Sequence, residues 1–120
     1  MKALLDTNIL LDYLNGIEAA RKEIQRYTQS LISPVSWMEV MVGVAAEQAP
    51  VVRSFLAGFQ QIVINQEVAE LAVAIRREHR IRLPDAIIWA SARSESALLV
   101  TRNSKDFPPD EPDVRVPYRL

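Results

Sequence analysis

Acids are what interrupt the apolar stretches of this chain. Asp6 stands between Leu4-Leu5 and Ile9-Leu10-Leu11, Glu39 is the only charge between Tyr27 and Val44, and Asp85 opens the run AIIWASA (86–92), after which Arg93 is the next charge. A carboxylate among apolar residues loses hydration, so it needs a proton, a hydrogen-bonding partner or a cation. Each acid also has an ordinary structural explanation. Asp6 can cap the helix that follows it, Asp85 beside Pro84 can complement a helix dipole, and Glu39 can face solvent on a mostly buried helix. The three together point further. Carboxylates converging to about 6 Å repel by roughly 3 kcal/mol per pair at an effective dielectric near 20. Either some are protonated or a cation holds them together. With no cysteine and a single histidine, an all-oxygen ligand set selects a hard ion such as Mg²⁺ or Mn²⁺.

A fourth polar group lies in LLVTRNSKDF (98–107), where Thr101, Asn103 and Asp106 follow an apolar stretch. Asp106 is a candidate fourth acid; the ordinary alternative is a polar turn whose side chains satisfy the backbone. RREHRIR (76–82) gathers Arg76, Arg77, Arg80 and Arg82 around His79. These cations fit a solvated helix end that complements the dipole. They also fit a phosphate-binding rim just before Asp85, with Arg93, Arg102 and Lys105 on nearby segments. His79 is read as a surface residue rather than a general base, and Trp37 and Trp89 as core or dimer contacts.

These residues need elements to position them. KALLD (2–6) has the composition of a buried strand, and Thr7-Asn8 opens a short helix that stops at Asn15-Gly16. Ile17, Ala20, Ile24, Tyr27 and Leu31 recur at helical spacing. LISP (31–34) is a second strand, followed by an apolar helix from Val35 to about Ala46 and another from Pro50 through Phe59. QIVIN (61–65) is a third strand. A helix through Val68, Leu71, Ala72 and Ile75 and a second over 84–95 precede the strand ALLV (97–100). PPDEP (108–112) is a turn, and VRV (114–116) a last short strand. Strands alternating with helices predict a three-layer α/β/α sandwich around a mostly parallel sheet of four or five strands. In such sheets ligands bind beyond the carboxyl ends of the strands, which is where Asp6 and the 101–106 segment fall and where helices can present Glu39 and Asp85.

Composition bounds the function. The 120 residues suit one domain, 1–120, with no repeat or linker, and 49% hydrophobic against 24% charged residues exclude general disorder. Fourteen basic and fifteen acidic residues, a net charge of -1, argue against holding nucleic acid by bulk charge. No uncharged apolar run approaches the ~18 residues of a membrane span, and the acid at position 6 does not suit a signal peptide. The expectation is a cytoplasmic protein.

LLDTNILLDYL (4–14), ISPVSWMEVMVG (32–43), LPDAIIWASA (83–92) and LLVTRNSKDF (98–107) together resemble the PIN-domain family, above all its VapC-type toxins from toxin–antitoxin modules. The resemblance runs over essentially the entire chain. It implies a Mg²⁺- or Mn²⁺-dependent endoribonuclease, normally a homodimer, inhibited by an antitoxin protein and cleaving RNA with a metal-activated water. It maps Asp6, Glu39 and Asp85 onto the family's first three acids and metal ligands. Thr7, Asn8 and Ser36 match supporting polar positions. Where many relatives carry the fourth acid, this chain has Asn103, so the fourth position falls to Asp106 or to Asn103 itself. Two other readings stand beside it: a phosphatase-like hydrolase with Asp6 as nucleophile, weakened by the lack of a second Asp two residues on, and a non-catalytic interaction module that keeps the fold.

Overall fold

Strand β1 (Lys2–Leu5) has three apolar residues, all fully buried, that point alternately to opposite sides of the sheet. Ala3 and Leu5 pack in one core with Ile9, Leu10, Tyr27, Val40 and Leu56, whereas Leu4 packs in a second core with Val68, Ala72, Ile75 and Trp89. A strand covered on both faces is written as an unbroken apolar run. The computed structural model describes residues 1–120. On the Ala3/Leu5 side lie α1 (Thr7–Leu14), α2 (Glu18–Gln25), α3 (Pro34–Val42) and α4 (Ala49–Leu56); on the Leu4 side lie α5 (Gln66–His79) and α6 (Leu83–Ser94). The remaining strands are β2 (Gln29–Ile32), β3 (Gln60–Gln61), β4 (Leu98–Val100) and β5 (Val114–Arg115). The result is a three-layer α/β/α sandwich. No helix is long and apolar enough to cross a membrane.

The sheet order is β3-β2-β1-β4-β5, and every pairing is parallel. The chain steps from β1 outward to β2 and β3, then returns past β1 to β4 and β5. Strand order therefore reverses between β1 and β4, and at such a point the connections leave to opposite faces and open a crevice at the carboxyl ends. Asp6 and Thr101 are the first residues beyond β1 and β4. The Asp6 N–H still donates to Val100 O at 2.9 Å, so both residues are held in the register of the sheet.

Several boundaries differ from those the sequence suggests. Leu31, spaced as if on the second helix, is buried in β2, because α2 stops at Gln25 and the chain turns through Tyr27. β2 ends at Ile32, where Ser33 accepts from the Val35 N–H and Pro34 takes the first helical position, so the strand lies two residues earlier than expected. α3 stops at Gly43 rather than near Ala46, and a separate 3-10 turn spans Ala46–Gln48. Of QIVIN only Gln61 lies in β3, with Gln60 before it, and the Ile62 N–H adds a last bond to Ile32 O, leaving Val63 and Ile64 exposed beyond the edge strand.

Candidate active site

Asp6 begins α1 as its N-cap, with extended backbone (φ -69°, ψ 158°). Its carboxylate is 4% exposed and held from three directions. Oδ1 accepts from the Thr7 N–H at 2.7 Å, and Oδ2 accepts from the Asn8 amide at 3.1 Å and the Thr101 hydroxyl at 2.7 Å. None of these partners is a cation. Burial pushes the Asp6 carboxyl up to about 6; the hydrogen bonds from Thr101 and Thr7 pull against this, and the charges of Asp85 and Glu39 add to it. A carboxylate has about four acceptor positions. Three are taken here, which leaves Oδ1 free to accept one more partner.

The other acids come from both helical layers. Glu39 lies exposed on α3 and accepts a hydrogen bond from the Thr7 hydroxyl at 2.6 Å, while that hydroxyl also lies 2.9 Å from Oγ of the buried Ser36. The small Ser36, one turn before Glu39, lets α1 and α3 approach closely enough for this contact. Asp85 sits in the first turn of α6, largely buried. Burial raises its carboxyl above the usual range; Arg82, with Nε 3.9 Å away, opposes this and the charges of Asp106 and Glu39 reinforce it. Asp106 is half-buried in the loop after β4, where the Asn103 amide donates to its Oδ2 at 2.9 Å and its own N–H donates to Asn103 Oδ1 at 3.2 Å. Asn103 is in turn anchored through its N–H to Thr101 Oγ1 at 2.9 Å. Asn103 thus builds the turn that presents Asp106.

The basic residues divide into two sets. Arg76 and Arg77 end α5, Arg80 takes the left-handed cap position (φ 57°) and Arg82 precedes α6; all four are exposed, beside the helix that carries Asp85. Arg102, by contrast, is engaged. Its Nε and Nη2 donate to Asp12 at 2.8 and 3.0 Å, and its main-chain N–H donates to Asn8 Oδ1 at 3.1 Å. His79 packs against Trp89 with ring centroids 4.8 Å apart and has Glu78 and Glu111 at 3.8 Å; it touches none of the four acids. Trp89 is fully buried.

Sequence reasoning missed Asp12 and Glu23. Both are buried, and each is bound by an arginine and a tyrosine: Asp12 by Arg102 and Tyr118, Glu23 by Arg115 and Tyr27. Asp12 carried a usable signal, because it interrupts ILLDYL as Asp6 interrupts its own apolar run. Glu23 lies in the charged stretch EAARKEIQR and carried none.

The donor chemistry fits a hard divalent cation: four carboxylates on one rim, no nitrogen or sulfur ligand, and two of the acids, Asp6 and Asp85, held above the usual range by burial and by neighbouring acids. No three of these side chains close around one point, so the rim is not a finished cage. Mg²⁺ suits such an open site because it keeps several waters and takes one or two carboxylates.

Comparison with known proteins gives a consistent picture. The PIN domain model matches residues 3–108. A chain of a toxin–antitoxin complex from Klebsiella pneumoniae is 43% identical and superimposes with a TM-score of 0.93 over 98% of this chain and 99% of that one. A chain of DNA-bound VapBC from Salmonella typhimurium is 26% identical, with a TM-score of 0.77 over 96% of each chain. At 22% identity, a chain of FitAcB from Neisseria gonorrhoeae shares the fold with a TM-score of 0.77 over the full length of both. No curated protein matches the chain.

Proposed function

The chain belongs to the PIN domain family, and from that premise we propose that it is a Mg²⁺- or Mn²⁺-dependent endoribonuclease, the VapC-type toxin of a toxin–antitoxin pair. The observation that carries this reading is Asp6, a buried carboxylate with no cationic partner, placed where strand order reverses and electrostatically coupled to Asp85 and Glu39. Such a group gains most from a divalent ion, which removes the repulsion and restores the charged form.

In this reading Asp6, Glu39 and Asp85 would hold the ion, one or two of them directly and the rest through its waters, and Asp106 would supply the fourth acid. Thr101 and Asn8 fix one oxygen of Asp6, and the Thr7 N–H fixes the other. The Thr7 hydroxyl ties Glu39 to the same helix turn. When bound, the ion supplies water activation and neutralises charge on the phosphoryl and leaving oxygens. Arg76, Arg77, Arg80 and Arg82 form a basic edge next to α6 that can take RNA phosphates, which offsets the acidity of the rim. The partner is a cognate antitoxin, as in the Klebsiella pneumoniae and Salmonella typhimurium complexes; the working form is a homodimer acting in the cytoplasm. A phosphatase-like use of Asp6 is disfavoured because the position two residues on is Asn8, whose amide donates to Asp6 and cannot act as an acid.

The test is cleavage of RNA by the purified chain against metal concentration. Wild type should cleave with Mg²⁺ or Mn²⁺ and stop in excess chelator, and Asp6→Asn should lose cleavage while staying folded. Undiminished cleavage by Asp6→Asn, or by wild type in chelator, would refute the proposal.

A further inference from the structure

Three distant parts of the chain meet at Arg102. Its main-chain N–H binds Asn8 and its guanidinium binds Asp12. Asn8 and Asp12 are four residues apart and therefore share one face of α1, a single turn apart. One residue of the loop after β4 thus grips α1 at two successive turns. Asp12 is 5% exposed, and the Tyr118 hydroxyl donates to its Oδ2 at 2.7 Å, bringing in the segment after β5.

The grip leads directly to the acidic rim. The Asn8 side chain is bonded at both ends: Oδ1 accepts from Arg102, and Nδ2 donates to Asp6 Oδ2 at 3.1 Å and lies 3.4 Å from Thr101 Oγ1. The neighbouring Thr101 hydroxyl donates to the same oxygen of Asp6 at 2.7 Å. A shift of Arg102 relative to α1 therefore moves both side chains that orient Asp6 Oδ2. We infer that Arg102 is a positioning residue: with Asp12 and Tyr118 as its anchor, it sets the Asp6 carboxylate for divalent-cation binding, acting through Asn8 and Thr101. This rests on the reading of the rim as a metal site. Groups that orient a ligand through one intervening side chain commonly change metal affinity by about 10- to 100-fold when removed. A merely structural ion pair would change stability and leave the affinity of the folded protein where it was.

Calorimetric titration of Mn²⁺ into the full chain, without RNA, separates these. The variants are Asp12→Asn and Tyr118→Phe, with Asp6→Asn as the reference and circular dichroism confirming the fold. Asp12→Asn should weaken Mn²⁺ binding by about 10-fold, and Tyr118→Phe should weaken it less, in the same direction. Wild-type affinity in both variants would overturn the inference. If Asp12→Asn does not fold, Tyr118→Phe decides alone, and wild-type affinity there overturns it. Loss of Mn²⁺ binding in Asp6→Asn with none in the other two removes only the role of Arg102. Wild-type affinity in Asp6→Asn removes the metal-site reading itself, and the inference with it.

Discussion

Asp6 and Glu23 are each 4% exposed, with Asp6 the deeper of the two, and their surroundings push their protonation in opposite directions. Burial raises Asp6 to about 6, and the neutral donors Thr7, Asn8 and Thr101 do not offset it. Burial also disfavours the Glu23 charge, but hydrogen bonds from Arg115 and Tyr27 outweigh it and hold that carboxyl below its usual range. Asp113 follows Glu23: Arg93 and Trp89 bind it and lower it against the effect of burial. The chain therefore neutralises Asp12, Glu23 and Asp113 with arginine and gives Asp6 only neutral partners. Unneutralised burial is unfavourable for folding and is tolerated where a ligand completes the charge balance. The contrast with Glu23 thus reflects both the depth of Asp6 and its lack of a cationic partner.

The largest expected effect is the pH dependence of the metal-free protein. Between pH 3.8 and about 6 the unfolded chain has released the proton that folded Asp6 still holds. Stability therefore falls as pH rises through this window, by about 3 kcal/mol in total. Glu23 and Asp113 act with the opposite sign: their stabilisation is present above their unfolded values of 4.5 and 3.8 and is lost as pH falls through the lower folded values. Urea unfolding in chelator from pH 3 to 8 should show both limbs, and Asp6→Asn should flatten the one between pH 4 and 6. Next in size is Arg115→Met, which strands the Glu23 charge. It should lower stability by about 2 kcal/mol, less than a fully interior pair because Arg115 is a third exposed.

A smaller effect gives the sharper contrast, because the same chemical change is made in both regions. At neutral pH without metal, Asp6→Asn should raise stability by about 1 kcal/mol by removing an unfavourable charge, whereas Glu23→Gln should lower it by a similar amount. Changes of equal sign in the two unfolding curves would show that the two carboxylates are not held differently. Smallest is the difference within the fourth position. Asp106→Ala removes a charge facing Asp85, whereas Asn103→Ala removes a turn brace. Cleavage rate against Mg²⁺ or Mn²⁺ concentration should shift further for Asp106→Ala. The reverse order would assign the fourth position to Asn103.

The layers of the fold are legible because β1 and β4 are apolar runs, β2 ends in the buried pair Leu31-Ile32, and the helices between them carry clear punctuation at Ser33-Pro34, Asn65 and Pro84. Boundaries were less so where two periods overlap, as at Leu31, whose spacing continues α2 although its burial belongs to β2. QIVIN has strand composition throughout, but its pairing with β2 ends at the Ile62 N–H, which donates to Ile32 O at 2.9 Å, where β2 itself stops. At the site, Asp6, Glu39 and Asp85 stood out because acids in apolar runs are conspicuous. The arginine–tyrosine anchors did not, because Arg102, Arg115 and Tyr118 find their acids through contacts 90 or more residues away in sequence. The role of Asn103 as a brace for Asp106 is a property of a turn, visible only in its hydrogen bonds.

A divalent cation completes the charge balance of the acidic rim, and Asp6 is the residue through which it binds. The most direct measurement is urea unfolding of wild type and Asp6→Asn at neutral pH, with and without Mn²⁺. Binding to the folded state alone at about a hundredfold excess over Kd adds about 2.7 kcal/mol of stability. Wild type should gain stability of that order and Asp6→Asn none. An equal gain in both proteins, or none in wild type, would contradict it.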